Sequence, residues 1–175
     1  MRGQSPFPLS VERWQRADWL LLQHSAVHRV DDGEGLRDVH EVLTGLGWLV
    51  HALDAGTCRT TDDLHGVLAA GLSFPGYYGR NLDALNDVLS DVAEYAYGSD
   101  AATTGTAVLV DGYDRVVDLD PGFAHAVLDV FAAQARCAAL LGHPMLCVVV
   151  STAALPDIGG APVARQTPPL PGNPA

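Results

Sequence analysis

Three aspartates at helical spacing near the middle of the chain are the residues best placed to do chemistry. Asp83, Asp87 and Asp91 stand four residues apart, so on a helix they would form one acidic ridge. Like charges at this spacing destabilise a helix by about 0.2–0.5 kcal/mol per pair. A cationic partner could neutralise the ridge on binding, although a solvated face of an acidic protein has the same pattern. The opposite side of this helix is apolar, with Leu82, Leu85, Leu89 and Val92.

A loop rich in glycine and tyrosine leads into the ridge. Within this tyrosine loop (residues 73–80), Tyr77 and Tyr78 lie between Gly76 and Gly79. Tyrosine is enriched in the buried centres of protein interfaces. We therefore expect one ring to pack inward and the other to offer rigid contact area beside the acidic ridge.

Two other kinds of chemistry fit these residues less well. Asp83 and Asp87 could form a metal-binding or acid–base pair, but no histidine, nucleophile motif or phosphate-binding glycine loop accompanies them. Gly76 and Gly79 have the spacing of a loop that clamps a nucleotide backbone, yet Arg80 is the one nearby cation. We therefore expect no enzyme activity, no cofactor, no metal and no nucleic-acid partner.

The charge of the chain favours a basic partner. It has 21 acidic and 10 basic residues, all of the latter arginine, for a formal net charge of −11. The imbalance is concentrated in residues 47–152, which carry 13 acidic and 4 basic side chains. Such a surface repels phosphate backbones and attracts cationic proteins, while solubility alone would also account for it.

Cysteine spacing and apolar runs indicate a cytoplasmic protein. The three cysteines follow no C-x-x-C pattern, so we interpret Cys58, Cys137 and Cys147 as packing residues rather than disulfide or zinc ligands. The N-terminal residues lack the apolar run of a signal peptide, and the other apolar runs are shorter than the ~18 residues of a spanning segment. We expect a cytoplasmic protein with no membrane partner.

The first part of the chain predicts strands and one helix. Apolar runs at Trp19–Gln23 and Val27–Val30 indicate a hairpin after a polar arm. Apolar residues from Leu36 to Leu46 recur at helical spacing. The uninterrupted run Trp48–Leu53 indicates a strand buried on both faces, as in a parallel sheet.

The rest of the chain alternates helices with strands. Thr60 and Asp63 predict a capping box, and Asp120 with Pro121 predicts the start of a long helix. This rhythm is typical of an α/β protein with a small, mainly parallel sheet and helices packed on it. The predicted elements are a helix that begins after Thr60 and has apolar positions from 64 to 72, helices from 81 to about 94 and from 121 to about 141, and strands at 107–110 and 145–150.

The string Tyr77-Tyr78-Gly79, followed by Asn81-Leu82-Asp83-Ala84-Leu85 and by Asp87, resembles the signature of the barstar family, the intracellular inhibitors of barnase-type ribonucleases. The resemblance covers about residues 47–151 and implies a barstar-like fold. We therefore predict a barstar-like domain at 47–152, preceded by an arm, hairpin and helix extension at 1–46 that packs on it. Six of the eleven prolines follow residue 153, so we predict that residues 153–175 form a disordered tail.

The resemblance implies that the tyrosine loop and the acidic helix plug the active site of a basic ribonuclease. Aspartates would take the place of RNA phosphates against its cationic groups. Asp87 matches the dominant contact of the family, Asp83 and Tyr77 match further contacts, and Gly79 and Asn81 match the loop that presents them. The expected partner is an extracellular-type ribonuclease or nuclease toxin, bound by a chain that is monomeric when free.

The chain also departs from the family pattern. Asn86 replaces an aromatic residue, Asp91-Val92 replaces Gly-Trp, and Ala133 aligns with a glutamate. These departures leave the identity of the partner open, including the alternative of the same fold serving a non-nuclease partner. The predicted partner-binding residues are Tyr77, Gly79, Asn81, Asp83, Asn86, Asp87 and Asp91.

Overall fold

Five parallel strands form the centre of the computed structural model, which describes residues 16–166. The order of the strands across the sheet is β2, β3, β4, β1, β5. Strands β3 and β4 lie inside the sheet and are almost wholly buried, as expected of parallel strands covered on both faces. The strands are β1 (Val27–Val30), β2 (Leu49–Asp54), β3 (Thr106–Asp111), β4 (Met145–Val150) and β5 (Ala164–Arg165).

Helices cover both faces of this sheet. The first two helices pack on one face with Ala107 and Leu109 of β3, and the other four pack on the opposite face with Val108 and Val110. The side chains of β3 alternate between the two faces because successive residues of a strand point in opposite directions. The helices are α1 (Ala17–His24), α2 (Gly33–Gly45), α3 (Thr61–Gly71), α4 (Leu82–Ala93), α5 (Asp114–Leu119) and α6 (Pro121–Leu140).

Side-chain caps fix the starts of the helices around the site. The capping box predicted before α3 is confirmed, with the Asp63 amide donating to Thr60 Oγ1 at 3.2 Å and the Thr60 amide donating to Asp63 Oδ2 at 2.9 Å. Asp120 caps α6 by accepting from the Phe123 amide at 2.9 Å, also as predicted. These caps satisfy backbone donors that the first helical turn leaves unpaired.

The predicted N-terminal hairpin is wrong. Residues 19–23 lie in α1, and β1 pairs in parallel with β4 and β5. A short apolar run does not distinguish a buried strand from a helix. Asp18 anchors the helix, since it is buried and accepts hydrogen bonds from Arg16 and from the Trp48 indole at 3.0 Å.

The prediction that the strand at residues 48–53 is buried on both faces is also wrong. That strand is β2, the outermost strand of the sheet beside β3, and Ala52 and Asp54 are exposed. An apolar run records side-chain type, whereas the position of a strand in the sheet decides how much of it solvent reaches.

The predicted disorder after residue 153 is wrong for residues 153–166. Ile158 is only 1% exposed and belongs to the core beneath α6. Strand β5 follows it and pairs with β1, so segments 1–46, 47–152 and 153–175 all contribute strands to one sheet. The remaining residues of the predicted tail, 167–175, and the predicted arm up to residue 15 lie outside the described residues.

Helix α6 is the long core helix of the fold. It is long and apolar enough to cross a membrane by length and composition alone. In this fold, however, Leu128 and Phe131 are buried in the core that α6 shares with α4 and the sheet. This packing places α6 directly behind the acidic helix.

Candidate functional site

The tyrosine loop rests on a cluster of aromatic side chains. Tyr78 packs edge-to-face on Phe74 with ring centroids 5.0 Å apart, and its hydroxyl lies 2.5 Å from His65 Nδ1. Burial raises the pKa of Tyr78 to about 12 and lowers the pKa of His65. A neutral phenol and a neutral imidazole therefore share this hydrogen bond. Tyr77 is 80% exposed, so one ring lies inward and the other outward, as expected.

Charged and polar contacts fix the end of the loop. Arg80 has a φ of 50°, a left-handed conformation that costs energy for a residue with a side chain. Its guanidinium donates to Asp62 Oδ2 on α3 at 2.8 Å, which ties the loop to the neighbouring helix. Asn81 caps α4 by accepting from the Ala84 amide at 2.8 Å. Asn81 also donates to the Gly79 carbonyl at 3.4 Å, so both residues shape the loop.

Asp83 and Asp87 form the open part of the acidic ridge. Both carboxylates are exposed on α4, and within residues 16–166 neither has an ion pair or a side-chain hydrogen bond. The opposite side of α4 packs on α6 through buried residues, as its apolar pattern predicts. Two carboxylates one helical turn apart thus face solvent from a firmly held helix.

Asp91 differs from the other two aspartates. It is half-buried, and its Oδ2 accepts a hydrogen bond from the Tyr97 hydroxyl at 2.8 Å. Tyr97 in turn packs edge-to-face on Phe74, the residue that also contacts Tyr78. Burial, followed by the hydrogen bond to Asp91, raises the pKa of Tyr97 well above its usual value. Asp91 therefore supports the aromatic cluster behind the tyrosine loop.

Asn86 is held by a residue of α6. Gln134 Nε2 donates to Asn86 Oδ1 at 2.7 Å, and Gln134 itself is only 8% exposed. Sequence reasoning did not identify Gln134, although it interrupts the apolar side of α6 between Phe131 and Ala138. A polar residue at a buried helical position needs a hydrogen-bond partner, so a glutamine on the apolar side of α6 indicates a polar contact with a neighbouring element.

Two further supporting residues were missed because they lie outside the tyrosine loop and α4. His65 reaches Tyr78 from α3, and Tyr97 reaches Asp91 from beyond the end of α4. Neither residue belongs to a recognisable local motif. The loop and helix that carry the site are therefore supported by α3, α6 and the segment after α4.

The site presents polar groups suited to binding a partner. Across the described part of the chain, no three His, Cys, Asp or Glu side chains are grouped to hold an ion. What the surface offers is an exposed phenol, two exposed carboxylates and a half-buried carboxamide on one loop and helix, at Tyr77, Asp83, Asp87 and Asn86. These groups match a partner that presents cations and an apolar surface.

Comparison with protein families identifies this same region. A family model described as Barstar (barnase inhibitor) matches residues 48–150. The match extends from just before β2 to the end of β4 and contains the tyrosine loop, α4 and Gln134.

Proposed function

The chain belongs to the barstar family, and we propose that it inhibits a basic ribonuclease by covering the active site with the tyrosine loop and α4. The observation that carries this proposal is the pair of exposed, unpaired carboxylates at Asp83 and Asp87 beside the exposed ring of Tyr77. Family members are inhibitors rather than enzymes, which supports a binding role for these groups.

The electrostatic part of the proposal follows from how ribonucleases hold RNA. A nuclease neutralises phosphates with arginine, lysine and histidine. Asp83 and Asp87 would contact these cations in place of phosphates and so exclude the substrate. The net charge of −11 would speed encounter with a basic enzyme, an effect that salt weakens.

The rigidity of the site supports tight binding. Three contacts hold the loop before any partner arrives. They are the Asn81 cap, the Arg80–Asp62 ion pair and the Tyr78–His65 hydrogen bond. A preorganised surface loses less conformational entropy on association, so more of its contact energy contributes to affinity. We further propose that the chain acts in the cytoplasm as a stoichiometric inhibitor that protects the cell from a nuclease.

A second candidate function keeps the fold but changes the partner. Asn86, Val92 and Ala133 depart from the family pattern. On α4, Asn86 is partly exposed, whereas Val92 is buried in the core. A barstar-like module that binds a non-nuclease protein would have a change such as Asn86 in its contact surface.

Inhibition of barnase tests the proposed function directly. The full chain is titrated into a fixed amount of barnase, and hydrolysis of RNA is followed at low salt. We expect activity to fall linearly to zero at one equivalent, with an isolable 1:1 complex. Full RNA hydrolysis at a large excess of the chain would contradict inhibition of a barnase-type enzyme and would favour the second candidate.

A further inference from the structure

We propose that Asn86, oriented by Gln134, presents a hydrogen-bond donor to the nuclease and selects partners with an acceptor opposite it. This inference rests on the proposed function and deepens it. Asn86 is then a specificity-determining residue on the contact surface, and Gln134 is a positioning residue that acts through it.

The orientation of the Asn86 carboxamide follows from its contact with α6. A carboxamide has one acceptor oxygen and one NH2 group with two donors. The oxygen faces Gln134 and accepts from its Nε2 at 2.7 Å. Because Gln134 is 8% exposed and lies between packed helices, it cannot easily follow a turn of the Asn86 side chain.

The Asn86 NH2 group is consequently the part left for a partner. Asn86 immediately precedes Asp87 on α4 and is partly exposed on the flank of the acidic ridge. The surface thus adds the neutral carboxamide donor of Asn86 to the anionic acceptors at Asp83 and Asp87. A uniformly acidic face would carry only acceptors.

This mixed polarity matches the two tasks of a ribonuclease active site. Such a site holds phosphates with cations and reads bases through both donors and acceptors on their edges. Asp83 and Asp87 complement the cations, while the Asn86 donor complements a carbonyl or carboxylate of the kind that receives a base N–H. A partner with a cation at this point would leave the NH2 group unpaired and is disfavoured.

Asn86→Asp in the full chain gives the sharpest test, with barnase as the probe. Aspartate keeps the size of the side chain and an oxygen for Gln134 Nε2, and it replaces only the outward donors by an acceptor. Added negative charge by itself would tighten binding to a basic enzyme. The inference takes a barnase-type active site to present an acceptor opposite Asn86. We therefore expect binding at least ten times weaker, because an acceptor then faces an acceptor. The measurement is the dissociation constant at two salt concentrations.

A double-mutant cycle tests the role of Gln134. Gln134→Met keeps the bulk of the side chain but removes the donor that orients Asn86. We expect it to weaken barnase binding several-fold in the parent chain and to have no further effect in an Asn86→Ala background. A purely structural role would weaken binding equally in both backgrounds. Thermal unfolding of each variant accompanies the binding data.

The outcomes separate this inference from the proposed function. If the parent inhibits barnase and Asn86→Asp binds equally or more tightly, the inference is wrong and the proposed function stands. An equal effect of Gln134→Met in both backgrounds would overturn its positioning role. If the parent itself does not bind barnase, the proposed inhibition of a barnase-type enzyme fails, and the inference fails with it. Asn86→Asp alters a partly exposed side chain, so it decides the question even if Gln134→Met does not fold.

Discussion

The Asp91 carboxylate joins α4 to the aromatic cluster by accepting a hydrogen bond from Tyr97. Its contribution to stability as an acceptor can therefore be measured separately from the effect of its negative charge. Asp91→Ala removes the acceptor for the Tyr97 hydroxyl and leaves it without this partner, which costs about 1 kcal/mol of folding stability. Asp91→Asn keeps an acceptor oxygen while removing the charge. We expect thermal unfolding to show a lower midpoint for Asp91→Ala and a midpoint near the parent value for Asp91→Asn.

Binding kinetics of the same two variants complete this test. Loss of the charge should slow association with barnase at low salt for both variants, since a peripheral charge acts mainly on encounter. Equal loss of stability in both variants would show that the carboxylate charge, rather than its acceptor oxygen, holds Tyr97.

His28 makes the stability of the fold dependent on pH. It is fully buried in β1, its Nε2 lies 2.9 Å from the Ser25 carbonyl, and its Nδ1 lies 3.0 Å from Gln166 Nε2. Burial lowers the pKa of His28 from 6.5 to about 4, with a smaller contribution from nearby His24. Between pH 6.5 and about 4, His28 therefore binds a proton in the unfolded chain but stays neutral in the folded chain.

The sign of this effect fixes the pH window. Stability from the neutral His28 is complete above the unfolded pKa of 6.5 and is lost progressively as pH falls towards about 4. Denaturant unfolding at a series of pH values should show this decline, and His28→Gln should flatten it. His40→Gln, at an exposed position on α2, is the matched control. An unchanged slope in His28→Gln would assign the decline to other groups.

At the scale of elements, the segment after β4 is part of the fold. Ile158 is buried beneath α6, the Gly159 amide donates to Asp129 at 2.6 Å, and β5 covers the edge of β1. Ile158→Ala should lower the free energy of unfolding by about 2–5 kcal/mol, as for other buried aliphatic residues. Arg165→Ala, at an exposed ion pair with Asp31, should cost at most about 1 kcal/mol. Equal, small losses in both variants would show that the segment does not dock.

The elements that could be predicted from the sequence are those with strong local signals. The caps at Thr60 and Asp120 and the strand at 145–150 agree with the structure to within a residue. Tertiary contacts, which the sequence pattern does not show, decided the structure of two segments that were predicted wrongly. Residues 19–23 are helical because Asp18 is fixed by Arg16 and the Trp48 indole, and the proline-rich segment after residue 153 is ordered because Ile158 finds a core site.

The candidate site was partly predictable for the same reason. Tyr77, Asp83 and Asp87 belong to one local string, and the alternation of apolar and acidic residues places Asp83 and Asp87 on one face of α4, just after the loop that carries Tyr77. The contacts that distinguish Asp91 and Asn86 from them come from Tyr97 and Gln134. Gln134 lies on another helix, 48 residues from Asn86, and no local pattern encodes that pairing.

At the scale of the whole molecule, the central claim is that one acidic surface, rather than acidity in general, blocks the nuclease. Within the described residues, helices on both faces of the sheet carry exposed acidic side chains. Glu41, for example, is exposed on α2, across the sheet from α4. If general acidity caused inhibition, removing any one carboxylate would weaken binding by a similar small amount. If the proposed surface causes it, removing Asp87 should weaken binding far more than removing a carboxylate elsewhere.

The most direct test compares Asp87→Ala with the charge-matched control Glu41→Ala in binding to barnase. Removing one partner of a buried charge pair strands the other charge. Asp87→Ala should therefore cost about 2 kcal/mol or more, chiefly through faster dissociation; this is the usual hot-spot threshold, for which barnase–barstar is itself a reference complex. Glu41→Ala should leave dissociation unchanged, and both variants should unfold near the parent midpoint. Equal affinity of Asp87→Ala and Glu41→Ala for barnase would contradict the account.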